Sequence, residues 1–376
     1  MVPNPSDPNS LLLIGGISEA AWGPPVGDIW SMNLDNFKWM LVQSPEPMSL
    51  RAGSAWGYDA SGKRLILFSG YLPGPPWPGP YTQDTVVLHL DTLTWEKLSI
   101  AGPVPPETGF RPSGYDAARN RLIVSTSASV PSGPIETWAL DLTANTWSML
   151  NPSTPPGQRF EPAFTVYRDS SGNEKLFVYG GYNGTWLQDM WSFDFSTNEW
   201  TKISPTGENI GQLIEGFALY DDTDGRILII GSASGVYEVD PATWNVTLIV
   251  DPSYPDFQPQ SSGLFDGLRQ RAILYTDLEP PVYFVPWAHY QLGSTWYFGE
   301  PNYVLPIKLF IFKDDTGDWL NVLWSGGRGP YTVFRSESPD FSNPTADHNC
   351  TDCATLATIV KNEVPNPVFY WRVQGK

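Results

Sequence analysis

Cysteine is nearly absent: the first 349 residues have none, and the two present, Cys350 and Cys353, stand together in HNCTDC. A disulfide framework therefore cannot hold most of this chain. Charged residues make up only 16%, and 22 basic against 40 acidic side chains leave a net charge of −18. That balance argues against nucleic acid as a partner, because phosphate binding needs a basic surface. No apolar run approaches the roughly 20 residues of a membrane-spanning helix. No segment carries apolar residues at the i, i+3, i+4, i+7 spacing of an amphipathic helix. The opening MVPNPSDPNS lacks the basic start and apolar middle of a secretory leader. The chain is thus expected either to stay unsecreted or to be the part that follows a leader.

What is abundant points one way. Aromatics reach 14%, with 37 Pro and 34 Gly in 376 residues. Together they predict an all-β chain of many short strands joined by turns. The length suffices for two or three domains.

Self-similarity organises the sequence. DMWSFDFSTNEWTKIS, from Asp189, aligns with DIWSMNLDNFKWMLV, DTVVLHLDTLTWEKLS and ETWALDLTANTWSML. Weaker copies are YEVDPATWNVTL and VPWAHYQLGSTWYF. Each copy closes on a tryptophan: Trp39, Trp95, Trp147, Trp200, Trp244 and Trp296, at steps of 56, 52, 53, 44 and 52 residues. Nine residues earlier stand Trp30, Val86, Trp138, Trp191 and Trp287, while Gly235 breaks the rule in the fifth copy. Upstream of each pair is an apolar run ending in small residues, such as LLLIGG and KLFVYGG. Before that comes a strand rich in small residues, such as GSAWGYD, linked by turns such as DASGKR and DDTDGR. One period reads as four antiparallel strands. The small-residue strand suits a crowded centre, the Gly pair a close backbone approach, and the closing Trp the space between neighbouring sheets.

These residues resemble the Kelch family of β-propellers, on Gly15-Gly16, Gly180-Gly181, Trp30, Trp138, Trp191 and the six closing tryptophans. The resemblance implies a six-bladed propeller over residues 11–300, with blades near 11–43, 51–99, 109–150, 159–204, 212–250 and 258–299. It implies no single activity, since such propellers serve enzymes, adaptors and surface proteins alike. Residues 305–376 resemble a fibronectin III-like β-sandwich lacking its last strand, with YTVFRS and YWRV as its central strands. Residues 1–10 read as an extension unable to supply the small-residue strand of the first blade. Both units then look one strand short, and an unpaired edge is a template for another chain. Strand exchange between molecules is one expectation. Closure of the ring by residues 300–312, or different boundaries, is the other.

The groups that carry chemistry are few. The galactose oxidase-like family on this fold needs two His and two Tyr as copper ligands, with a Cys cross-link; this chain has only His89, His289 and His348, and no Cys before residue 350. His348 with Cys350 and Cys353 is an incomplete zinc set, so a short-loop disulfide or two free thiols is expected there. DDTDG lacks the bidentate Glu of a calcium loop and reads as a hairpin turn. Neither a Gly-rich phosphate loop nor a Ser elbow is found. No metal, no cofactor and no catalytic residue is assigned.

Strand alternation sends the links between second and third strands, and those between blades, to one face. Those links are long and Pro-stiffened, and they carry Trp22, Tyr71, Trp77, Tyr81, Tyr182, Trp186, Tyr254 and Phe257. Stiff aromatic loops suit recognition because little entropy is lost on binding; alternatively the rings pack on one another to hold the loops down. N-x-T triplets at Asn183, Asn245 and Asn349 are candidate glycosylation sites. The reading is a non-catalytic extracellular or cell-surface protein that works by protein contact, including contact with copies of itself. A glycan-binding or adhesive module is the alternative, and an oxidase or hydrolase a third.

Overall fold

The computed structural model describes residues 1–17, 25–35, 38–74, 79–127, 133–213, 216–231, 235–250, 262–268, 271–275, 290–292, 295–299, 308–313, 319–325, 331–336, 345–350, 358–361 and 370–374. The chain forms two compact units, residues 1–267 with 274–277 and residues 268–273 with 278–376. Among the described residues no helix is long and apolar enough to cross a membrane.

The first unit repeats one four-stranded antiparallel motif. Blade 1 is β1 (Val2–Pro3), β2 (Ser10–Ile17), β3 (Pro25–Asn33) and β4 (Trp39–Gln43). Blade 2 is β5 (Ala55–Asp59), β6 (Arg64–Phe68), β7 (Thr85–His89) and β8 (Thr94–Lys97). Blade 3 is β9 (Ser113–Asp116), β10 (Arg121–Ser127), β11 (Ile135–Asp141) and β12 (Thr146–Leu150). Blade 4 is β13 (Ala163–Arg168), β14 (Glu174–Tyr179), β15 (Met190–Asp194) and β16 (Glu199–Ile203). Blade 5 is β18 (Phe217–Asp221), β19 (Arg226–Gly231), β20 (Gly235–Asp240) and β21 (Asn245–Val250), with β17 (Thr206–Gly207) added in parallel at its outer edge. β22 (Ser262–Asp266) follows.

Neighbouring residues of one strand point to opposite sheet faces. Leu65 packs toward blade 1 and Ile66 toward blade 3. Val86 and Val87 divide in the same way, as do Leu122 and Ile123. Middle strands sandwiched between two blades must therefore be apolar on both faces, which explains runs such as RLILF and RLIVS. In blades 2 to 4 the closing tryptophan covers the blade before it. Trp147 lies 4.8 Å from Phe68, centroid to centroid, and the Trp200 indole N–H donates to Thr137 Oγ1 at 3.0 Å. In the inner strands small residues permit the convergence: a Cβ on Gly114 would stand 2.5 Å from Val166 Cγ2 of the next blade.

Four expectations need correction. Residues 1–10 are not outside the blade. Val2 and Pro3 pair with Leu12 and Leu11, and Val2 is buried in the core of blades 1 and 2. The Asn4 and Asp7 side chains cap a tight return that brings Ser10 back beside them. A strand of two residues needs only Val2 to be apolar, so the Pro-rich composition did not forbid it.

Second, Trp244 is not the closing tryptophan of its blade. In blades 2 to 4 the closing position pairs with the residue before the turn: Trp95 with Leu88, Trp147 with Leu140, Trp200 with Phe193. In blade 5 that position is Val246, paired with Val239. Trp244 sits two residues earlier at φ 60°, the left-handed turn position held by Asn145 and Asn198 in blades 3 and 4. Its ring still stacks on Phe177 of blade 4 at 6.5 Å. The gap between blades is filled from a different register.

Third, among the described residues five regular blades are present where six were expected. The sixth copy has no Asp-turn. β23 (Arg271–Tyr275) precedes β24 (Tyr290–Leu292) and β25 (Thr295–Gly299), which form a tight hairpin pairing Leu292 with Thr295. β24 takes the edge and β25 lies inside it, the reverse of the other blades. Trp296 pairs with Gln291 there, and Trp287 lies outside the described residues.

Fourth, of the two C-terminal strands expected to be central, one is at an edge. β26 (Lys308–Lys313), β27 (Trp319–Ser325) and β30 (Thr358–Lys361) form one sheet, with β27 in the middle. β29 (Thr345–Cys350), β28 (Tyr331–Ser336) and β31 (Tyr370–Gln374) form another. YTVFRS is central there, and YWRV forms the edge strand β31. Cys350 ends β29 and Cys353 lies outside the described residues, as does His289.

Candidate functional site

The two ends of the blades differ in chemistry. At the turn face, where the first strand meets the second, one device recurs. Asp59, Asp116 and Asp221 end the inner strands of blades 2, 3 and 5, all buried. Each takes the Nε of an arginine five residues on: Arg64 at 2.8 Å, Arg121 at 2.7 Å and Arg226 at 2.9 Å. Each also caps its own turn, as Asp221 does for the Thr223 amide at 3.0 Å. DDTDG is thus a hairpin turn, with Arg226 also reaching Asp224 at 3.3 Å. The arginines bridge blades as well: Arg64 reaches Asn120, and Arg121 reaches Asn198. These contacts hold the scaffold and leave little free for a ligand. His89 closes the third strand of blade 2 on this face and meets Glu96 at 3.0 Å.

The loop face carries the aromatics. Tyr71 and Tyr81 bridge the long loop of blade 2 and meet edge-on at 6.2 Å. Tyr71 lies 6.1 Å from Phe110, and Phe110 meets Phe160 edge-on at 5.2 Å. Phe160 is backbone-paired to Tyr182, whose ring is 5.1 Å from Trp186. A band of rings thus crosses blades 2, 3 and 4. Tyr71 is fully buried and serves as its floor. Tyr81, Phe110, Phe160 and Trp186 are half-buried, and Tyr182 is exposed at 42%. Trp22, Trp77, Tyr254 and Phe257 lie outside the described residues.

Three arginines anchor this face. Arg159 is buried and forked on Asp189, at 2.8 and 3.0 Å. The Trp191 indole donates to the same carboxylate at 2.6 Å. Burial alone would raise the Asp189 carboxyl, but the Arg159 bonds and charge, with Trp191, hold it below the usual range. Gly181 makes room for this clasp: at φ 93°, its Cβ would stand 2.9 Å from the Phe160 carbonyl. The acid two residues before the aromatic repeats it, since Trp138 donates to Glu136 at 3.0 Å and Trp30 to Asp28. Arg51 is buried against the Met48 carbonyl at 3.0 Å.

Arg111 is different. Its guanidinium lies over Phe160 at 5.7 Å and donates to the Arg159 carbonyl. Its Nε is buried without a hydrogen-bond partner, and among the described residues no carboxylate pairs with it. Burial lowers its basicity, which the neighbouring Tyr81 opposes. Phe110, Phe160, Arg111 and the Arg159–Asp189 clasp were not among the residues expected from sequence. Their signal was an Arg standing just before the small-residue strand in RAGSAWGYD, RPSGYD and RFEPAFTVYRD. Of the N-x-T triplets, Asn183 is exposed in the loop of blade 4, Asn245 is paired on both sides within blade 5, and Asn349 lies in β29.

Five radial four-stranded sheets, closing tryptophans and paired glycines define a Kelch-type propeller. The chain belongs to the family of the KLHDC2/KLHL20/DRC7 Kelch-repeats domain, whose model matches residues 6–231. Host cell factor 2 of Homo sapiens is 24% identical over 174 residues, which is 41% of this chain and 21% of that protein. Kelch domain-containing protein 10 of Rattus norvegicus is 24% identical over 204 residues, 53% of this chain and 48% of that protein. The match thus spans about a fifth to a half of these relatives' length. A solved structure of YjhT covers 84% of this chain and 95% of its own at 12% identity, with a TM-score of 0.49.

Proposed function

We propose that this chain is a protein-recognition module, not an enzyme, and that it binds through the loop face of blades 2 to 4. The observation that carries the reading is the aromatic band ending in exposed Tyr182, with Arg111 set into it and, among the described residues, no carboxylate paired with it. Rigid rings flanking a guanidinium are the kind of group that dominates protein interfaces. The partner segment offers an apolar side chain to Tyr81, Phe110 and Phe160 and a carboxylate to Arg111. A half-desolvated guanidinium binds a carboxylate more strongly than an exposed one.

The strand-exchange reading has lost its main support, because Val2–Pro3 already occupies the inner edge of blade 1. For the C-terminal strands a fibronectin III-like sandwich remains our proposal. It is supported by the order β26-β27-β30, which joins the first, second and fifth strands in one sheet, and by β29-β28-β31, which joins the fourth, third and sixth in the other, a split that suits such sandwiches.

The test is partner capture with the whole chain, comparing the native protein with Tyr182→Ala and Arg111→Met. Loss of the same captured proteins from both variants supports the loop face. Equal recovery of every partner by all three proteins sinks it.

A further inference from the structure

Asn183-Gly184 is the sole Asn-Gly pair in the sequence, and it lies on the loop face between Tyr182 and Trp186. Asn183 is exposed. Its side-chain oxygen accepts from the Thr185 hydroxyl at 3.1 Å and from the Thr185 amide at 3.4 Å. Two donors on that oxygen draw electron density from Cγ and make it a better electrophile. Gly184 has φ 106°, and nothing lies within 4 Å of where its Cβ would stand. Gly184 is exposed and has no side chain to hinder attack by its backbone nitrogen on the neighbouring amide.

We propose that Asn183 is a self-modification site that converts, in the folded protein, to aspartate and isoaspartate. Hydroxide takes the Gly184 N–H proton, and the nitrogen attacks Asn183 Cγ to form a five-membered ring. The bond from Cγ to the side-chain nitrogen breaks, and that nitrogen leaves as ammonia after taking a proton from water. One water then adds to either ring carbonyl and opens the ring. The ring nitrogen keeps either its bond to the main-chain carbonyl or the new one to Cγ, giving Asp or isoAsp. One ammonia is released and one water consumed, with no change of oxidation state. The product places a carboxylate beside the exposed Tyr182 ring and destroys the glycosylation triplet. Asn120, Asn145 and Asn198 also stand in turns but precede Arg, Thr and Glu, whose side chains hinder attack.

The full folded chain is held at mildly alkaline pH and body temperature, then cut with trypsin. The peptide Leu176–Lys202 is expected to gain the mass of an amide-to-acid exchange, mapped by fragmentation to residue 183. Methyl labelling of that peptide by an isoaspartyl methyltransferase is expected to grow with it, and to vanish from the peptide in Asn183→Gln, while any labelling at Asp224-Gly225 or Asp266-Gly267 stays unchanged. Thr185→Val is expected to slow conversion severalfold; an unchanged rate removes the hydroxyl from the mechanism. A folded chain that stays intact at 183, while a synthetic peptide of the same loop converts, overturns the proposal.

Discussion

On the turn face, Asp59, Asp116 and Asp221 each hold an arginine five residues on and cap their own hairpin. On the loop face the acid–tryptophan pair recurs as Asp28–Trp30, Glu136–Trp138 and Asp189–Trp191, but among the described residues the arginine fork on that acid does not. Blade 4 clasps Arg159 to Asp189, whereas in blade 2 Asp84 pairs instead with Lys97 at 2.7 Å. The first face uses one solution in three blades because every blade must close the same hairpin. The second varies because its loops carry no shared burden of closure. A repeat protein thus separates what builds it from what it does by end, not by domain.

That contrast can be pressed from its largest expected effect to its smallest. Trp200→Ala empties a buried indole between blades 3 and 4 and should cost about 3–5 kcal/mol in denaturant unfolding. Trp244→Ala, half-buried at the shifted register, should cost clearly less; an equal loss would mean that register is irrelevant. Arg159→Met leaves Asp189 without its counter-charge and should cost about 3 kcal/mol, whereas Arg111→Met should leave stability close to native and affect binding alone. Acid should strain both faces together. The Asp59 and Asp189 carboxyls are held below their usual range. Their contribution is therefore present above the unfolded-chain value of about 3.9 and fades as pH falls below it through the folded values. Unfolding midpoints measured downward from about pH 5 check this; a flat profile contradicts it. Tyr182→Ala should shift stability by less than about 0.5 kcal/mol, so any loss of partner would be a loss of contact.

The architecture was legible wherever burial repeats. Trp95, Trp147 and Trp200 mark their blades because an indole fills the same gap each time. The loop face was legible as a surface, since alternation alone sends the long links there. Its site was only half legible: Tyr71 reads like Tyr182 in sequence, yet one is floor and the other rim, and only packing distinguishes them. Phe110 and Phe160 stand in the linkers where no period reaches. Trp244 misled because sequence spacing marks a tryptophan but not the left-handed backbone that carries it. Val2 was hidden because two residues are too few to show a pattern.

The link from blade 4 to blade 5 does more than connect. Thr206–Gly207 runs in parallel along the outer strand of blade 5, and Ala101 bridges Thr146 of blade 3 in the same sense. Each of these outer margins is hemmed by chain arriving from the blade before. Excising one blade would therefore leave the next with a bare border, so shortened or shuffled versions of this molecule should be cut inside a loop between second and third strands and never within those seams.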